Sequence, residues 1–341
     1  TMTAATADNT GVGFSALGAL TSGSDNTVVG SYAGINIGSG THNVMIGKST
    51  GNAYNSSDVV AVGSAALASI TDAAADGTVA IGKSALSALT SGAANTALGF
   101  ESAVAMTKGR YNTALGWRAL YTEDVGDNST AVGNGALFSQ NSNSDNEITG
   151  NVGLGYQTGY NNVEGQNNTY LGYWAGKGGT GSHNGNTGVG KSALASITLG
   201  GSNVCVGVNA GDSITTANNS IFIGSSAGDA LTVTGGGNAY DGQIGIGTNA
   251  LATLTTGAGN LAIGYTAMAT NKLGDKNMAI GYGAMDLSYI DDTQDALTDN
   301  NIFIGYDSGG GDWATAASHS NIGIGNNVMD AAMNGALNNT A

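Results

Sequence analysis

Proline is missing altogether from this chain, cysteine occurs once, aromatic residues make up 6% of it and charged residues 10%. Each shortage excludes something. Without proline, every residue keeps a backbone N–H to offer a neighbouring strand, and long enzymes are seldom built that way. Cys205 alone cannot close an intrachain disulfide, so any stability in an oxidising setting has to come from stacking and association. The nine Lys and Arg against 24 Asp and Glu give a net charge of −15, which repels nucleic acid and anionic membrane surfaces. No run of eighteen apolar residues is present, and Thr1-Met2-Thr3-Ala4 shows no basic stretch leading into an apolar one, so neither a spanning helix nor a leader is read here.

What is abundant is glycine, with 58 residues, and small apolar side chains within a hydrophobic share of 41%. A thin core of Ala, Val and Ile is expected. The arrangement is periodic. A five-residue element recurs as Asn26-Thr27-Val28-Val29-Gly30, Asn95-Thr96-Ala97-Leu98-Gly99 and Asn277-Met278-Ala279-Ile280-Gly281, and its closing glycine appears eighteen times between Gly13 and Gly325. Ten of the seventeen intervals are seventeen residues long. The residue before the glycine is Val, Ile or Leu in every copy, and three residues after it comes a small residue, then Leu, Met or Gly.

These columns predict an all-β parallel β-solenoid, or β-roll, of about eighteen coils with a seventeen-residue repeat. Each coil is expected to hold two or three short strands stacked about 4.8 Å from the next, which makes a rod on the order of 85 Å long. The anchor glycines (Gly30, Gly47, Gly99, Gly116, Gly172, Gly207, Gly264 and Gly281 among them) are expected to turn the chain with a positive φ. Asn opens the element in thirteen copies and predicts an amide ladder from coil to coil. The reading is of one solenoid repeat domain over residues 1–341, cut in mid-coil at both ends, since Asn338-Asn339-Thr340-Ala341 opens a further element.

The Asn-Thr-Ala-Val-Gly element with its small-residue-plus-Leu pair resembles the repeats of phage tail-fibre and tailspike shafts. It is also similar to the Ser-Val-Ala-Ile-Gly repeats of trimeric autotransporter adhesin heads. The resemblance covers essentially the whole chain and implies a homotrimer of parallel solenoids, joined along apolar faces and working in attachment to a cell surface. Narrow coils agree, because Val, Ile and Leu columns on more than one side are buried more easily against neighbouring chains.

Several motifs mimic chemistry. Gly77–Ser84 and Gly185–Ser192 both match the phosphate-loop pattern, yet the apolar strand element falls inside each supposed loop and another coil follows, so no nucleotide site is read. His42, His183 and His319 lie far apart without a second ligand at metal spacing and are expected as solvated turn residues. Cys205 takes the middle strand position, as Ala does elsewhere, and is expected to be a packed or intersubunit thiol. Asp286, Asp291, Asp292, Asp295 and Asp299 crowd one long coil and are expected as a solvated acidic loop, with calcium the alternative. Aromatic residues follow the glycine in eight copies, of which Tyr265, Tyr282 and Tyr306 are the candidate ligand contacts. Long coils at Phe138–Thr149, Thr232–Gly242 and Asp286–Asp299 should project from one side, where solenoids carry recognition.

The function expected is a non-enzymatic shaft or adhesive segment of an extracellular or virion fibre. Its partners are further copies of the chain and a cell-surface glycan or protein receptor, with no cofactor, nucleic acid or membrane insertion. The alternative is an ice- or surface-binding solenoid presenting Thr and aromatic columns. Enzyme chemistry would need basic and acidic groups clustered in a groove, and nine scattered bases do not supply one.

Overall fold

The computed structural model describes residues 8–52, 55–71, 75–230, 241–255, 257–286, 298–311, 318–331 and 335–341. The chain is an all-β parallel solenoid and divides into two compact units, 1–167 and 168–341. The first holds nine strands of three residues: β1 (Thr10–Val12), β2 (Thr27–Val29), β3 (Val44–Ile46), β4 (Val60–Val62), β5 (Val79–Ile81), β6 (Thr96–Leu98), β7 (Thr113–Leu115), β8 (Thr130–Val132) and β9 (Val152–Leu154). The second holds nine more: β10 (Thr169–Leu171), β11 (Thr187–Val189), β12 (Val204–Val206), β13 (Ile221–Ile223), β14 (Ile244–Ile246), β15 (Leu261–Ile263), β16 (Met278–Ile280), β17 (Ile302–Ile304) and β18 (Ile322–Ile324).

Within each unit every strand pairs in parallel with the next one in sequence, like position on like position, as in Thr96↔Thr113, Ala97↔Ala114 and Leu98↔Leu115. One strand per coil is fewer than the two or three the repeat suggests. The reason lies in the other fourteen residues, which ladder without being extended. Counted from the anchor glycine, the residues at −5, +2 and +4 adopt left-handed φ: Ser84, Leu86 and Ala94 stand at 58°, 49° and 56°. Such a residue costs on the order of 1 kcal/mol outside glycine. The compensation is hydrogen bonding between coils. Leu86 N–H donates to the Ser102 carbonyl (3.0 Å), while Ser84 and Ala94 N–H donate to Ser64 and Asp76 of the coil before (both 3.0 Å). Alternating handedness thus lets turn backbone serve neighbours on both sides, as a strand would.

The anchor glycine closes the strand at φ near 140°. At Gly264 (φ 141°) a Cβ would run into the Gly281 carbonyl oxygen of the next coil, so the column tolerates no side chain. At the strand's start the expected amide ladder forms inside the coil. Asn26 donates from Nδ2 to Asn9 Oδ1 (2.9 Å) and to the Gly40 carbonyl (2.9 Å), and its own Oδ1 accepts from the Asn43 N–H (3.0 Å) and Nδ2 (2.9 Å). The same chain of bonds runs through Asn260, Asn277, Asn301, Asn321 and Asn339.

Core layers are filled from positions −2, +3, +4 and +7, and two of these compensate one another in size. Where −2 is Val28, Met45, Tyr170, Cys205, Phe222 or Phe303, the residue at +4 is Gly34, Gly51, Gly176, Gly211, Gly228 or Gly309. Where −2 is Ala or Gly, as at Ala80, Ala114 or Gly188, +4 is Leu86, Leu120 or Leu194. Two coils are small at both positions, Ala97 with Ala103 and Gly153 with Gly159; at the second, Leu137 of the preceding coil packs beside Gly153, 3.0 Å from where a Cβ would stand. The aromatic rings also claim the layer above, for Gly188, Gly245 and Gly323 follow Tyr170, Phe222 and Phe303 and face those rings. Side-chain volume per layer is held nearly constant, which is what close packing in a uniform tube requires.

Candidate functional site: the outward side of the strands

Because side chains alternate along a strand, burying −2 forces −3 and −1 outward. The Val/Ile/Leu position that never varies in the sequence is therefore on the surface. Leu98 is 44% exposed, Leu154 44% and Ile324 61%, and Val12, Ile46, Leu171 and Ile223 stand beside them in the same column. At −3 the threonines Thr96, Thr113 and Thr130 follow one another over three paired strands, and Val152 ends the row. In each unit this side is an exposed sheet face dominated by apolar groups.

The aromatic column at +1 borders that face. Tyr265, Tyr282 and Tyr306 stack in series, with ring centroids 5.1 and 5.4 Å apart and planes 17° and 15° from parallel. All three remain about half exposed. Stacking consumes the ring faces and leaves edges and hydroxyls for contact, so a sugar has no free platform within the ladder. A second aromatic ladder escaped the sequence reading: Tyr121, Phe138 and Tyr160 at +5 stack at 4.9 and 4.8 Å with planes 5° and 9° apart. Its three members differ in neighbours and in letter, and only the alignment of unequal coils reveals them as one column. Next to it, the Arg118 guanidinium lies 4.5 Å from the Trp117 ring and 4.9 Å from the Tyr121 ring, and its Nε donates to Glu101 at 2.7 Å.

The three histidines separate. His42 is exposed, between Asp25 and Asp58 at 3.6 Å each. His319 pairs with Leu337 in an isolated parallel bridge, beside Ser320. His183 is fully buried, against the solvated turn residue expected, because Tyr170 from the strand of its own coil reaches it: Nδ1 and the Tyr170 hydroxyl are 2.9 Å apart. Burial pushes the His183 pKa down to about 4 and that of Tyr170 up. Cys205 is buried in the core, where its Sγ fills the space over Gly211, and burial raises its pKa well above the thiol range. It is a packed thiol, shielded from a partner.

Sequence reasoning also missed a buried carboxylate. In three coils of the first unit position +7 carries Glu123, Gln140 and Asn162 in place of Leu, Ile or Met. Glu123 accepts the Gly126 N–H (2.7 Å), the Val125 N–H (3.2 Å) and Gln140 Nε2 (2.7 Å); Gln140 in turn donates to Ser129 Oγ (2.9 Å) and accepts from Asn151 Nδ2 (3.0 Å). Every polar group here has a partner, so the cluster fixes local register and offers no reactive atom.

Both phosphate-loop look-alikes contain a strand, β5 and β11, and Lys83 and Lys191 stand at +1. Lys83 extends over the Phe100 ring, 5.6 Å from its centroid. Of the acidic group, Asp286 and Asp299 are described and Asp291, Asp292 and Asp295 lie outside the described residues. Asp299 accepts the Asp275 N–H (2.8 Å), and Asp286 is raised in pKa by burial. The inserted stretch 138–149 is described and is tied to the following coil by Asn141 N–H to the Val163 carbonyl (2.9 Å); most of the other two lies outside the described residues. Among the described residues no three His, Cys, Asp or Glu side chains come together as metal ligands, and no helix is long and apolar enough to cross a membrane. Comparison of the chain with known protein families and with curated proteins finds no match in either.

Proposed function

We propose that this chain is a non-enzymatic structural segment of an extracellular or virion fibre, that three copies associate along their strand faces, and that the fibre serves attachment to a cell surface. The observation that carries the reading is the outward −1 column, Val, Ile or Leu in all eighteen copies and half-buried or exposed in the single chain, never fully buried. A surface column that admits no polar residue over eighteen repeats is costly in water and is explained by burial against another chain. The resemblance of the repeat to fibre and adhesin shafts points the same way, and like-on-like stacking makes the face straight enough to meet a second copy over many coils.

The outward Thr96, Thr113 and Thr130 favour a second reading, an ice- or crystal-binding face. Both readings use one surface and exclude each other there. Light scattering at several concentrations separates them. A trimer that dissociates in the double variant Leu98→Lys/Leu115→Lys supports the fibre reading. A wild-type monomer overturns it, and thermal hysteresis of that monomer would establish the second.

A further inference from the structure

Attachment requires a receptor, and the side chains at the edge of the strand face differ in charge between the two units. Along positions +1, +2 and +5 the second unit sets Asp212, Asp229, Asp286, Asp307 and Asp330 against Lys177 and Lys191. The same positions in the first unit carry Lys48, Lys83 and Arg118 against Glu101 alone. In a chain of net charge −15 this edge is the place where an anion is tolerated.

Within it one cluster is organised. The Arg118 guanidinium lies against the Trp117 and Tyr121 rings, 4.5 and 4.9 Å from their centroids, and Tyr121 is itself backed by the Phe138 and Tyr160 stack. Glu101 takes the Nε edge at 2.7 Å; the side chains of Arg118 and Glu101 are 33% and 23% exposed. Among the described residues the guanidinium's hydrogen bond is this one, made through Nε, and with the side chain 33% exposed its Nη donors are left for a ligand. A guanidinium matches a carboxylate in two parallel hydrogen bonds, which a lysine cannot reproduce. The adjoining Trp117 indole is 43% exposed and offers apolar surface beside the guanidinium for a sugar ring to rest on. The Tyr265–Tyr282–Tyr306 ladder lacks both properties, since its rings cover each other and its flank is acidic.

The geometry points to Trp117, Arg118 and Tyr121 as a binding site for a carboxylate-bearing sugar of a surface glycan. The inference rests on the attachment reading and supplies its ligand class. Structural stapling of neighbouring coils by Arg118 and Glu101 is the rival account, and it predicts changes in melting and none in binding.

The test is calorimetric titration of the intact protein with trigalacturonate and with sialyllactose, each beside its carboxyl methyl ester. Saturable binding of either acid that falls about tenfold or more on esterification, in Trp117→Ala and in Arg118→Lys, with melting unchanged in Arg118→Lys, is expected. The acid that binds identifies the sugar type. Tyr282→Ala should bind as the wild type does. Absence of saturable binding to both acids, equal binding of the esters, or binding undisturbed in Trp117→Ala and Arg118→Lys overturns the site. Solution mass and adhesion of the wild-type protein to cells are measured separately; a trimer that adheres with either variant discards this site and keeps the fibre reading, whereas a monomer that does not adhere discards the reading itself.

Discussion

At position +4 leucine and glycine do the same job by different means. Leu86 occupies a left-handed backbone at some cost in strain because Ala80 beside it leaves a volume to fill; Gly228 relieves that strain because Phe222 has already filled it. The pair is one packing unit, and a double-mutant cycle should show it. Phe222→Ala alone is expected to cost about 3–5 kcal/mol through the cavity it opens. Gly228→Leu alone sets two side chains in one space and should destabilise by about 1–3 kcal/mol or more. Together they recreate the Ala/Leu pair found at Ala80 and Leu86, so the double variant should be more stable in urea than Phe222→Ala. Simple addition of the two losses would disprove the exchange.

A strand of three residues contributes little by itself, and what makes each coil persist is the pair of ladders on either side of it. The glycine column allows backbone contact at one end, and residues of the Asn column such as Asn26 and Asn277 make four side-chain hydrogen bonds each at the other. Asn277 shows the second: its Nδ2 donates to Asn260 Oδ1 (3.1 Å) and the Thr298 carbonyl (2.6 Å), and its Oδ1 accepts the Asn301 N–H (3.0 Å). Asn277→Ala leaves the Thr298 carbonyl and the Asn301 N–H buried without this partner, at about 1–3 kcal/mol for each. Ser129 and Ser220 replace Asn in two coils, so Asn277→Ser should lose markedly less. Equal losses in the Ala and Ser variants, measured by denaturant unfolding, would show that the ladder bonds contribute nothing specific. The seventeen-residue period made this ladder legible in advance, because an amide repeated at one register position has its like above and below. The single strand per coil was not legible, since left-handed Leu and Ser are set by neighbouring coils against their own preference.

For the whole chain, pH response follows from where its few titratable groups end up. His183 is buried neutral, with a pKa of about 4 in the fold against an ordinary 6.5. Since the folded value is the lower one, the unfolded chain takes up the proton first. The stability tied to neutral His183 is complete above pH 6.5 and is lost as pH falls from there toward 4, by on the order of 3 kcal/mol. Burial raises Asp212 and Asp229, which has the opposite sign and favours the fold in acid. The histidine contribution is therefore read as a difference: unfolding free energy between pH 7 and 4 should decline more steeply in the wild type than in His183→Gln. Parallel curves for the two would place the proton elsewhere.

The sequence by itself determined the period, the parallel stacking, the glycine corner and the amide ladder, because each depends on residues at one fixed spacing, while burial in the structure decided that Cys205 is a packed thiol. Tertiary structure alone decided which columns face in. The Val/Ile/Leu column at −1 faces out, half-buried or exposed, and full burial went to the variable −2 and +4 positions, where bulk at one is mostly offset at the other and no single position needs a fixed identity. It also decided that His183 is buried and that Trp117, Arg118 and Tyr121 meet, since the turns of a single coil set which of its side chains fold back on one another.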